Sequence, residues 1–200
     1  MSATDANYNA NYELLYAATF GSLLGIEAAL KAGADIDFEH VDCNVSSTGT
    51  ALYNASMKGH IDVIKLLLHK GASLVKRNKL SYAPLLIAAH EGQTEAVDLL
   101  VQHGATLDIK DCFQHTPLMT AYIFNHVDTV KRLIELGARP DLEVDYMSHI
   151  AKRLADRGNC LKLVEEARLT KLLRCCNPRC GKPGYRKTLK LCGRCKLTRY

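Results

Sequence analysis

No stretch of this 200-residue chain is apolar over the roughly 20 residues a helix needs to cross a bilayer. Its polar start, MSATDANYNANYE, lacks both the basic and the apolar segment of a secretory signal. A protein that stays inside the cell, in cytoplasm, nucleus or both, is the expectation. A glycine-rich phosphate loop, a nucleophile elbow and a helix with paired metal-binding histidines are absent too. With them go the usual signatures of phosphoryl transfer, serine hydrolysis and zinc proteolysis. Acidic residues are missing in one place: Arg168 to Tyr200 holds eleven lysines and arginines and no aspartate or glutamate.

The whole chain carries +5, so the residues before that stretch sum to −6, an acidic body with a basic tail. An apolar fraction of 48% suits a globular core. Five of the eight cysteines (Cys175, Cys176, Cys180, Cys192, Cys195) crowd the tail, while Cys43, Cys112 and Cys160 are scattered. Clustering in a chain without a secretory signal points to metal rather than disulfides. The scattered three read as small hydrophobic side chains.

A period organises the body. Gly59 and Gly92 stand 33 residues apart, as do Gly71 and Gly104, and Gly104 and Gly137. A fixed period of this length is the mark of a solenoid. Four segments align on it, opening with ELLYAATFGSLL, TALYNASMKGHI, APLLIAAHEGQT and TPLMTAYIFNHV. Thr50 and Thr116 are placed to cap a first helix, and Pro84 and Pro117 suit its first turn. Ala88 and Ala89 let neighbouring helices approach. Gly59 and Gly92 permit the reversal into a second helix whose leucines (Leu66, Leu67, Leu99, Leu100) recur at helical spacing. Gly71, Gly104 and Gly137 end that helix. The spacing from Gly21 to Gly59 is 38, and the extra residues fall in EHVDCNVSSTG between the first two units. A fifth, degraded unit, HIAKRLADRGNCLKLVEEARL, has charged residues for an exposed face and reads as a cap.

On TPLM, TALY, APLL, KGH, LLLHKGA and LLVQHGA, the chain from about Asn11 to Arg168 resembles an ankyrin-repeat array. The resemblance implies an all-α helical solenoid of four repeats plus a capping repeat, preceded by a polar tail over residues 1–10. It implies a non-enzymatic, monomeric scaffold that binds a partner protein on hairpin tips and first helices. Candidate partner-binding residues are Lys76, Arg77, Asn78, Lys79 and Tyr82 on one tip, with Lys110, Asp111, Phe113 and Gln114 on the next. Most of His60, His69, His90, His103, His115 and His126 fall at repeat positions that are structural or exposed in the family, and none is expected to be catalytic or to hold a metal. The family's histidine at the end of the four-residue opening is replaced by Leu15, Tyr53, Leu86 and Met119.

In CCNPRCGKPGYRKTLKLCGRCKLTRY two short-spaced cysteine pairs can be drawn, Cys175 or Cys176 with Cys180 and Cys192 with Cys195. Such pairs turn two sulfurs toward one point, as tetrahedral zinc requires. Residues 169–200 resemble the front half of a MYND-type zinc finger, through CCNPRCGK and LKLCGRCK. That resemblance implies Zn2+ as cofactor, Cys175, Cys180, Cys192 and Cys195 as ligands, and recognition of a proline-containing peptide. By the family pattern the sequence stops before the fifth ligand. A shortened finger is therefore expected, either poorly ordered or improvising a single site in which the four thiolates share one zinc. Nucleic-acid binding through the eleven tail cations is the competing reading, weakened because only Tyr185 and Tyr200 offer stacking surface there.

Overall fold

The computed structural model describes residues 3–39, 49–139, 158–169, 172–174 and 183–185. Helices come in pairs: α1 (Ala3–Phe20) with α2 (Leu23–Lys31), α3 (Ala51–Lys58) with α4 (Ile61–His69), α5 (Pro84–His90) with α6 (Thr94–Gln102), and α7 (Pro117–Ile123) with α8 (Val127–Glu135). A further helix, α9, covers Gly158–Leu169.

Local chemistry fixes the helix starts. The Thr50 hydroxyl accepts the Tyr53 amide and the Thr116 hydroxyl accepts the Met119 amide, both at 3.3 Å. Pro84 and Pro117 sit in the first turn, where a missing N–H leaves no bond unmade. Ala83 holds the same capping position with no side-chain acceptor. The second helices are amphipathic at three fixed positions. They bury Val63, Ile64 and Leu67 in α4, Ala96, Val97 and Leu100 in α6, and Thr129, Val130 and Leu133 in α8.

First helices pack in series, α1 on α3, α3 on α5 and α5 on α7; second helices form a parallel layer from α2 to α8, and α9 packs on α8. Between the layers Leu52, Ile64, Leu85, Leu100, Leu118 and Leu133 are fully buried. Helices this short are marginal alone in water. Each buried leucine contributes roughly 1.5–3 kcal/mol, so stacking rather than helix propensity holds the array.

Leu15, Tyr53, Leu86 and Met119, which replace the family's histidine, are all buried and fill its place with apolar packing. Bonds between repeats come from another register. His60 Nε2 donates to the Thr19 carbonyl (3.0 Å), Gln93 Nε2 to that of Met57 (3.4 Å), and His126 Nε2 to that of His90 (2.8 Å). Residues 60, 93 and 126 are 33 apart, so α4, α6 and α8 each hook the preceding repeat through the capping residue just before the helix.

Two departures from the sequence expectation appear. The segment expected as a polar tail is helical from Ala3, and Ala10 is buried; alanines at 3, 6 and 10 favour continuing the helix backward. A short antiparallel pair, β1 (Leu172–Arg174) and β2 (Pro183–Tyr185), joins Leu172 to Tyr185 and Arg174 to Pro183, where no strand was expected. In the capping unit, Cys160 and Val164 are buried while Lys162, Glu165 and Glu166 face solvent, and Cys160 Sγ donates to Asn125 Oδ1 (3.4 Å). The first half of that unit, the 40–48 insertion and all five tail cysteines lie outside the described residues.

Candidate functional site

Two neighbouring hairpin tips are built to one plan. Asn78 Oδ1 accepts the amides of Leu80 (3.0 Å) and Tyr82 (2.9 Å). Asp111, 33 residues on, accepts those of Phe113 and His115, both at 2.8 Å. Short polar side chains that bond amides a few residues ahead replace a stretch of backbone ladder. Each tip closes on a residue at positive φ, Ser81 at 60° and Gln114 at 65°. The tips are tied together: the Cys112 amide donates to the Leu80 carbonyl (3.4 Å), and Arg77 Nη1 to the Lys110 carbonyl (2.6 Å).

This plan corrects two of the nine expected contact residues. Asn78 and Asp111 are 7% and 3% exposed, because their side chains are turned inward onto the turn amides. They shape the tips rather than present themselves. Lys76, Arg77, Lys79, Lys110, Phe113 and Gln114 are exposed, and Tyr82 is half-buried at the base of its tip. Residue type alone does not separate a tip's organiser from its surface; the shared 33-residue position of Asn78 and Asp111 was the available clue.

Behind the tips the first helices add a floor that sequence reasoning missed. The Tyr82 ring meets His90 edge-on at 5.9 Å, and His90 lies against Phe124 at 3.9 Å. Phe124, 45% exposed, occupies the position held by Lys58 and Glu91 in the preceding repeats. That break in register was the available clue. His90 Nδ1 also lies 2.8 Å from Glu91 Oε1.

Burial, and then the negative charge of the Asp111 carboxylate, push the Tyr82 hydroxyl up to about 12. Burial, then Tyr82 and Glu91, push Tyr53 up to about 12 as well. Both phenols thus stay neutral at ordinary pH. His115 Nδ1 sits 3.3 Å from Asp111 Oδ2, and His103 Nδ1 donates to the Leu99 carbonyl (2.8 Å). Among the described residues no group of three or more His, Cys, Asp or Glu side chains could hold a metal ion, and no helix is long and apolar enough to cross a membrane.

Stacked helix pairs, a period of 33 and projecting tips define a helical repeat scaffold. Two family models match it, "Ankyrin repeats (many copies)" over residues 14–68 and "Ankyrin repeats (3 copies)" over residues 75–144, between them more than half of the chain. The chain is an ankyrin-repeat protein. Over 79 residues, 39% of this chain, it is 42% identical to the Ankyrin repeat and KH domain-containing protein mask-1 of Caenorhabditis elegans. The chain spans only 3% of that relative's length.

Proposed function

We propose that this chain is a non-enzymatic adaptor that grips a partner protein with the tips and first helices of its second to fourth repeats. The carrying observation is the pair of tied tips, which hold Lys76, Arg77, Lys79, Lys110 and Phe113 outward from a buried frame. Ankyrin repeats suggest protein–protein interaction. Side chains fixed by a rigid support lose little entropy on binding.

The cysteine-rich segment is the second half of the proposal. Cys175, Cys180, Cys192 and Cys195 would share one zinc ion, folding the segment into a module for a proline-containing peptide. Four soft thiolate donors in two short-spaced pairs fit zinc, and β1 and β2 bring together the ends of the stretch that carries Cys175 and Cys180. Zinc bound there would contribute to folding rather than to catalysis.

Selection from a random dodecapeptide display library on the immobilised chain tests the first half. Enriched peptides that cross-link to a photoreactive residue at position 113 are expected; absence of any enriched peptide would contradict it. For the second half, elemental analysis of purified protein should give one zinc per chain, lost in a Cys192→Ser, Cys195→Ser variant. No zinc, or two tightly held ions, would overturn the single shared site.

A further inference from the structure

We infer that the two tied tips and the aromatic floor behind them select an extended acidic peptide carrying an aromatic or large aliphatic side chain. This deepens the adaptor reading and rests on it.

Charge sets the sign of the partner. The residues before Arg168 sum to −6, and the first tip is acidic, with Asp35, Asp37 and Glu39. The second tip reverses this: Lys76, Arg77 and Lys79 are exposed with no carboxylate among residues 75–82. Lys110 extends the patch onto the third tip, its backbone held by Arg77. Of the two acids on that third tip, Asp108 is exposed, but Asp111 is buried, with one oxygen on turn amides and the other 3.3 Å from His115 Nδ1. A cationic ridge therefore rises from an acidic body, and complementary charge there would steer and orient a negative chain.

The floor sets the second requirement. Phe124 and Phe113 are exposed, large apolar rings of the kind that anchor interfaces when a partner covers them. Phe124 is fixed by its contact with His90, so its ring is already oriented for a side chain laid across it. Nucleic acid fits this face less well. Glu91 and Asp108 are exposed beside the rings and the ridge and would repel a continuous phosphate backbone, whereas a peptide can alternate acidic and apolar side chains.

The test runs the display selection on the intact chain and on two variants, Lys76→Glu with Lys79→Glu, and Phe124→Ser. Unchanged helical circular dichroism and melting would certify the fold of each. The inference expects sequences rich in Asp and Glu with a Phe, Tyr, Trp or Leu. Their enrichment should fall on the order of tenfold on the charge-reversed variant and fall on Phe124→Ser as well. Selected sequences that are neutral or basic, or enrichment unchanged on both variants, would overturn this inference while leaving the adaptor reading standing. Tighter binding of labelled dodecathymidylate than of the selected peptides would assign the ridge to nucleic acid instead. An absence of enriched peptides on the intact chain would sink both readings.

Discussion

Gly92 shows how one residue serves two neighbours. Its φ is 73°, a left-handed backbone that costs other residues roughly 1–2 kcal/mol, and a Cβ there would lie 2.5 Å from His126 Nδ1. The ring that hooks the preceding repeat thus needs the bare glycine surface beneath it. Gly92→Ala should destabilise the array by about 1–3 kcal/mol in urea titration. The loss should shrink in a His126→Ala background, because the ring is no longer there to collide. Strictly additive losses would contradict the pairing. Asn125 takes the equivalent position one repeat later at φ 61°. The phenols make a separate prediction. Tyr53 and Tyr82 are raised from 10 to about 12, so between those values the unfolded chain releases protons that the folded chain keeps. The folded state then binds more protons, and stability falls as pH rises from about 10 to about 12. Tyr53→Phe should flatten the fall, read as Tm against pH.

Helix starts are where the repeats differ among themselves. α3 and α7 have threonine caps, while α5 has Ala83 at the capping position, with no side-chain oxygen to accept a free amide. Ala83→Ser should therefore stabilise the protein by about 0.5–1 kcal/mol and Thr116→Ala should cost about 1 kcal/mol, both by urea denaturation. Most of this level was legible beforehand: the Thr-Pro-Leu openings, the turn glycines and the leucines at helical spacing mark α3 to α8 because each is a local requirement of backbone or burial. Three things were not. The start of α1 at Ala3 depends on alanine content that a polar composition hides. The burial of Asn78 and Asp111 depends on where each tip bends. The meeting of His90 and Phe124 joins two different repeats, and no single unit contains it.

At the scale of the molecule, each repeat covers its neighbour's apolar face, so a defect in the middle is felt on both sides. Leu100 is fully buried in α6, between the layers of α4 and α8. Leu100→Ala should cost about 2–5 kcal/mol, read from the shift in urea midpoint. The same rigidity is what lets tips far apart in sequence act as one surface. Hydrogen exchange by mass spectrometry, with and without a peptide selected on the intact chain, tests that claim most directly. Added protection confined to residues 75–82 and 108–124 is the expected result. Protection appearing instead along α4, α6 and α8, or only within residues 169–200, would contradict it.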